Sequence, residues 1–503
     1  MKTDIDGVAL AVFVFFLLLV TVLGFVAARW RRPETMAHLD EWGLGGRKFG
    51  TWITWFLVGG DFYTAYTVIA VPALVYAVGA YGFFALPYTI IVYPFVFAVM
   101  PRLWHLARDK GYVTAADVVH GQYGSRGLEL AVAATGVLAT MPYIALQLVG
   151  MEASIRALGL RGELPLIAAF AILAVYTYSS GLRAPALIAF VKDVMIYIVV
   201  LVAVAIVPSK LGGYGAIFQA ADAAYQGKAG TGLLLAPNQY LPYATLAFGS
   251  ALAAFMYPHT LTGIFASSHG NTIRKNAILL PAYTLLLGLL ALLGYMGRGA
   301  GLKLTNNNDV VPSLFKLLFP SWMSGFAFSA IAIGALVPAA VMSIGSANLF
   351  TRNFWKAYVN PDLTPAGEAQ VAKLTSLVVK LGALLAVIFL PTKFALDLQL
   401  LGGLWILQTF PALVFGLYVG WFRAPSLLAG WAVGLFGGSA LAWADGLKPV
   451  HAVHLGPVQF SAYVGLLALV VNILVAVVVN LALPARPPVH SRLALSGSGV
   501  GER

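Results

Sequence analysis

Apolar residues in this chain run on in long stretches instead of alternating at the period of a surface helix or strand. A membrane-spanning helix needs about 20 mostly apolar residues. Such runs fall at 7–28, 50–76, 80–101, 127–150, 164–180, 184–207, 241–267, 277–297, 323–350, 371–391, 397–420, 425–443 and 459–484. They predict an all-α polytopic membrane protein with about 13 transmembrane helices. Two of the runs are interrupted. The second contains Gly59-Gly60-Asp61 and then Pro72; the seventh contains Gly249, then Tyr257-Pro258-His259-Thr260, then Gly263. They lie five spans apart. Interrupted segments at matching positions of two halves point to an inverted-repeat transporter whose site lies at the breaks.

Composition changes one thing in this picture: it removes the soluble alternatives. Apolar residues make up 60% of the 503 and charged residues 10%, against about 25% charged in a soluble globule; mean hydropathy is +0.86. With no cysteine there is no disulfide framework and no thiol chemistry. The net charge of +12 invites a nucleic-acid reading, but in a polytopic protein it records orientation. The first run is preceded by Asp4 and Asp6 and followed by Arg29, Arg31 and Arg32. A signal peptide has the reverse polarity, so the N-terminus is expected outside and, after thirteen crossings, the C-terminus in the cytoplasm. Cytoplasmic segments then hold about twenty basic residues, Arg183 and Lys192 among them, against about ten outside. Residues 485–503 read as a disordered tail.

A charge at the bilayer centre costs about 2.5–3.5 kcal/mol on insertion scales, so each one is a functional candidate. The deepest are Asp61, Asp193 and Lys380; Glu129, Glu152 and Asp397 fall near helix ends, where snorkelling is expected. Thr64, Thr67, Gln147, Ser343, Ser346 and Gln408 are polar at depth. Broken helices free backbone groups that can bind a cation or an anion, and hydroxyls from a facing helix complete an oxygen cage. Enzymatic chemistry finds no support. Of eight histidines only His259 lies within a span, HExxH is absent, and no Ser/His spacing recommends a hydrolase. A channel would want a filter-like repeat, which the chain does not show.

Several ordered stretches now carry a resemblance. They are Thr64-Ala65-Tyr66-Thr67-Val68-Ile69 ahead of Pro72, Val113-Thr114-Ala115-Ala116-Asp117 followed by Tyr123-Gly124-Ser125, and Ser180-Gly181-Leu182-Arg183-Ala184 leading to Asp193. Pro258-His259 with Arg274-Lys275 and Ala339-Ala340-Val341-Met342-Ser343 follow. Together the chain resembles the sodium:solute symporter family. The strings GGDFYTAYTVIAVPALVY, MPYIALQLVGME and LGGLWILQTFPALVFGLY look like its bacterial monocarboxylate permease branch.

The resemblance implies a LeuT-like core of five plus five helices. Residues 1–46 would be an extra helix and linker, 47–208 the first inverted repeat, 241–420 the second, and 421–484 two C-terminal helices. It also implies symport of lactate, pyruvate or a similar acid across a bacterial inner membrane, with no organic cofactor, nucleic acid or obligate protein partner. Carried over residue by residue, the sodium cage is the carbonyls of Ala65, Val68 and Ala340 with the Ser343 hydroxyl; the family's usual second hydroxyl is replaced by Ile344. Either sodium still binds, with Asp193, Ser346 or water making up the cage, or a proton carried by Asp61, Asp193 or Lys380 is the coupling ion. For the substrate, the reading selects Thr64, Tyr66 and Thr67, then Gln147, Phe255, Tyr257, Trp405 and Gln408. A symporter for an amino acid, acetate or a vitamin is the nearest alternative, and a substrate-gated channel or sensor the next.

Overall fold

Backbone inside hydrocarbon must satisfy its own polar groups, which leaves helices as the economical choice for a chain this apolar. The structure, a computed structural model, describes residues 5–27, 29, 36–60, 64–160, 162–389 and 395–484. Asp61, Arg31, Arg32 and the tail 485–503 lie outside the described residues. The first half consists of α1 (Gly7–Ala27), α2 (Thr51–Gly60), α3 (Val71–Val78), α4 (Ala85–Ala98), α5 (Arg126–Ala157), α6 (Leu164–Ser180) and α7 (Arg183–Lys210). The second half has α8 (Tyr240–Ala254), α9 (Pro258–Phe265), α10 (Pro281–Gly299), α11 (Ser321–Phe350), α12 (Pro365–Phe389), α13 (Ala395–Leu407), α14 (Ala424–Ala444) and α15 (Val464–Ala482). Shorter helices at Gly213–Tyr225 and Val310–Leu318 lie between α7 and α8 and between α10 and α11.

Among the described residues nine helices are long and apolar enough to cross a membrane, or ten if a pair bent by 44° around residues 408–410 is one span. The expected thirteen is therefore not established by helix length. The shortfall is informative. Two of the three missing runs are the interrupted ones, α2 with α3 and α8 with α9, and the third is the 17-residue α6.

At the centre stands α11, buried along its whole apolar length and packed on α1, α5, α7 and α12. On the perimeter, α1 exposes Val8, Phe15, Leu18 and Val22, a surface suited to lipid and untenable in water. An antiparallel hairpin, β1 (Val450–Leu455) with β2 (Val458–Tyr463), precedes α15. The last run was expected to begin at 459; the apolar alternation of β2 had merged with the helix that follows. Glu129 also departs from expectation. It does not snorkel but is 2% exposed, held by Arg126 at 2.9 Å, His120 at 3.0 Å and the Asn353 amide at 2.9 Å.

The turn from α6 to α7 locks onto the short helix Leu39–Leu44. Leu182 N–H donates to the Trp42 carbonyl at 2.9 Å, and Trp42 Nε1 donates to the Tyr178 carbonyl at 3.2 Å. Gly181 makes this approach feasible: its φ is +56°, and a Cβ there would stand 2.2 Å from the Trp42 oxygen. Such backbone is nearly glycine-only and costs about 1–3 kcal/mol for other residues. Gly181→Ala is thus expected to lower the melting temperature in detergent by several degrees. An unchanged melting curve would show that the turn is not this tight.

A candidate binding site where two helix breaks meet

The first break lies between α2 and α3. Thr64 and Thr67 close it locally: Thr64 N–H donates to Thr67 Oγ1 at 3.1 Å, and Tyr66 N–H donates to Thr64 Oγ1 at 3.0 Å. Ala65 N–H donates to Gln147 Oε1 of α5 at 3.0 Å. The first amides of this half-helix, expected to be open to a carboxylate, are therefore already engaged by side chains. A wide π-type turn follows at Tyr66–Ala70. Pro72 has no N–H, so the Val68 carbonyl lacks its ordinary helical donor; such turns recur at functional sites.

The second break is residues 255–257, between α8 and α9. Tyr257 is extended (φ −61°, ψ 141°) and Pro258 opens α9, where a missing N–H costs nothing. Tyr143 of α5 lies 5.3 Å, ring to ring, from both Tyr257 and His259. Tyr143 and Gln147 are one turn apart, hence on one face of α5. That face touches both breaks, Gln147 the first and Tyr143 the second.

Around this meeting point the Tyr66 hydroxyl and His259 Nδ1 are buried without a hydrogen-bond partner among the described residues, as is Ser250 Oγ on α8, five residues before the second break. The Tyr66, Tyr143 and Tyr257 phenols are close enough to interact electrostatically. A buried polar atom left unpaired costs about 1–3 kcal/mol, and each such atom calls for an explanation. A ligand in this space is one. Phe255 supplies apolar wall, stacked on Phe95 at 5.4 Å. A narrow crevice reaches the second break at Met256 and Pro258 and continues past Thr262 and Gly345 to Thr114 and Asn348.

Not every selected residue converges here. Trp405 Nε1 donates to Ser439 Oγ of α14 at 3.0 Å. Gln408 donates to the Leu404 and Gly465 carbonyls, and its Oε1 accepts from Asn472 of α15 at 3.2 Å. Both residues spend these hydrogen bonds on tying the C-terminal helices to α13. Tyr257 belongs to the second break, but its hydroxyl is spent on the Gln399 carbonyl at 3.1 Å. Gln147 acts as a bridge between α5 and the first break.

The expected cation ligands separate into two groups. Ala65 and Val68 lie at the first break, which packs on α5, α10 and α13. On α11, Ser343 Oγ donates to the Ala340 carbonyl at 2.8 Å and shares a hydrogen bond with Ser376 Oγ at 3.1 Å; Lys380 Nζ donates to Ser376 Oγ at 2.6 Å. Ser346 Oγ is buried and without a partner among the described residues. Asp193 accepts from the Tyr283 hydroxyl at 2.6 Å and faces Lys192 Nζ at 3.0 Å. Lys192 is the residue that pattern reading misplaced. It was assigned to a cytoplasmic segment, yet it is fully buried and donates to the Gly60 carbonyl at 2.7 Å. Its position nine residues beyond Arg183, about 14 Å along α7 at 1.5 Å per residue, was the available signal.

Comparison with known proteins accords with this geometry. The chain is 77% identical over 491 residues to a monocarboxylate transport permease protein of Rhizobium johnstonii, covering 98% of this chain and all of that one. It is 30% identical over 480 residues to an uncharacterised symporter of Bacillus subtilis, covering 94% and 93%. A solved Na+-coupled sialic acid symporter, substrate-bound and outward-open, superposes with a TM-score of 0.78 at 15% identity, covering 95% of this chain and 98% of that one. The fold is accordingly LeuT-like. A model of the sodium:solute symporter family matches residues 42–434, and with two broken helices meeting on α5 the chain belongs to that family.

Proposed function

We propose that this protein is a cation-coupled symporter that imports a short monocarboxylate such as lactate or pyruvate. The observation that carries the site is the buried Tyr66 hydroxyl, without a hydrogen-bond partner among the described residues, beside the Tyr143–His259 cluster. The substrate class is supported by the relative's description as a monocarboxylate permease. Because the amides at 64–66 are capped by Thr64, Thr67 and Gln147, side-chain donors meet the carboxylate. Tyr66 donates to it from the first break, and Ser250 adds a hydroxyl just before the second. His259, gripped by Tyr143 and Tyr257, orients the C2 oxygen, and Phe255 with Phe95 covers the methyl group. The capped break is rigid before substrate arrives, which lowers the ordering cost of binding.

Transport follows by alternating access, with the repeats 47–208 and 241–420 rocking about the breaks. The basic-residue asymmetry supports an N-terminus outside and a C-terminus inside a bacterial inner membrane.

Proteoliposomes containing the purified protein are the test. They are expected to accumulate radiolabelled lactate above the external concentration under an imposed cation gradient. Excess pyruvate should abolish the uptake; proline and alanine should leave it. Uptake that stops at equilibration would mark a channel, and suppression by proline or alanine but not pyruvate would reassign the substrate.

A further inference from the structure

Fully buried lysines are rare because stripping an ammonium of water is costly, and among the described residues two are buried at membrane depth, Lys192 and Lys380. Each engages oxygens that a free cation would want. The C-terminal end of a half-helix carries unsatisfied carbonyls and a partial negative charge. Beside that end of α2, Asp193 adds a carboxylate and Tyr283 a hydroxyl, an oxygen set suited to a hard cation. Lys192 Nζ already stands in it, 2.7 Å from the Gly60 carbonyl and 3.0 Å from Asp193 Oδ1. The approach is close: a Cβ on Gly60 would lie 2.7 Å from Nζ. On the α11 side, Ser343 and Ala340 are joined through Ser376 to the ammonium of Lys380, and the next residue is Ile344.

From this, and resting on the symporter reading above, we propose that Lys192 is a tethered cation. Its ammonium fills the oxygen set that the Gly60 carbonyl, Asp193 and Tyr283 form at the end of α2, a set that would otherwise suit a sodium ion, so substrate binding in this protein does not require sodium.

The charges around the site are consistent with that assignment. Asp193 is the carboxylate facing Lys192 among the described residues, while Asp61, the residue after Gly60, lies outside them. Tyr283 of α10 and Tyr197 on α7 itself are the other titratable groups at Asp193. Of the other helices packed on α7, α1, α6 and α11 carry no charged residue, while α10 carries Arg298 and Gly213–Tyr225 carries Asp222. A second monovalent cation would have to share the Asp193 charge with an ammonium already in contact with it, and like charges at such range repel strongly in a dry interior.

The test uses the purified full-length protein, with sodium chloride varied against choline chloride up to about 100 mM, enough to saturate a site of millimolar affinity. Two quantities are read: the melting temperature without substrate, and the Kd for lactate. For the wild type the melting temperature is expected to be the same in either salt, and the Kd the same within about twofold. Lys192→Ala vacates the position while leaving Gly60, Asp193 and Tyr283, so it should become sodium-dependent: the melting temperature rises by several degrees with sodium and not with choline. Lys192→Arg keeps a cation and should stay indifferent. Sodium-specific stabilisation of the wild type, or a tenfold tighter lactate Kd in sodium, would overturn the proposal. So would a folded Lys192→Ala protein blind to sodium. If that variant does not fold, the wild-type titration decides alone. The thermal readout needs no substrate, so failure to bind lactate in any salt would retire the proposed function and still leave this inference decided.

Discussion

In sodium-free buffer, Lys192→Ala is expected to lower the stability of the folded protein by about 3–5 kcal/mol, the range for removing one member of a buried ion pair. Lys192 and Asp193 are 0% and 1% exposed. Once the ammonium is gone, the carboxylate keeps one strong partner, the Tyr283 hydroxyl at 2.6 Å, and the Gly60 carbonyl loses its donor. Asp193→Asn leaves the opposite problem, a buried ammonium without the carboxylate that faces it. The double replacement Lys192→Met with Asp193→Asn removes both charges and keeps the volume. It should recover most of the loss, because a buried pair replaced by neutral groups of similar shape is often close to neutral overall. Equilibrium unfolding in mixed micelles across the four proteins reads the coupling directly. Single variants each within about 0.5 kcal/mol of wild type, with strictly additive effects, would mean that the pair is solvated in the functional protein.

Much of the fold was visible in the hydropathy pattern because long apolar runs have few other uses. The breaks were visible because Gly59-Gly60, Pro72 and Pro258 have local causes: proline removes a donor at a fixed position and glycine relaxes the backbone. What escaped depends on which neighbour a helix face meets. Trp405 and Gln408 lie within an apolar run, but periodicity does not say that α14 and α15 cover their side. Lys192 was lost because it was counted with the basic residues of a cytoplasmic segment, although it lies inside the apolar run 184–207 beside Asp193, which was read as deep. That the Tyr66 hydroxyl and His259 Nδ1 lack hydrogen-bond partners among the described residues is likewise a property of the packed molecule. Tyr143 was passed over for a related reason: its value is that it shares a face of α5 with Gln147, and that matters only once both breaks are known to touch that face.

Tyr66→Phe is expected to weaken lactate binding by about tenfold to a hundredfold, since a hydrogen bond to a charged group is worth about 1.5–3 kcal/mol. The same substitution should leave the melting temperature unchanged or raise it. The hydroxyl is buried without a hydrogen-bond partner among the described residues, and deleting it removes a desolvated group while the ring keeps its edge-on contact with Tyr88 at 6.2 Å. This split separates a recognition role from a structural one, because a tyrosine that only packs would lose neither affinity nor stability. His259→Phe makes the corresponding change at the second break, keeping a ring between Tyr143 and Tyr257. If both breaks grip one molecule, the two substitutions should be coupled, the double variant losing less than the product of the single losses.

The most direct measurement is equilibrium binding of labelled lactate to purified wild-type, Tyr66→Phe, His259→Phe and doubly substituted protein. A pocket shared by the two breaks predicts a Kd raised about tenfold or more in each single variant, with a clear coupling between them. Wild-type affinity in both single variants would contradict it.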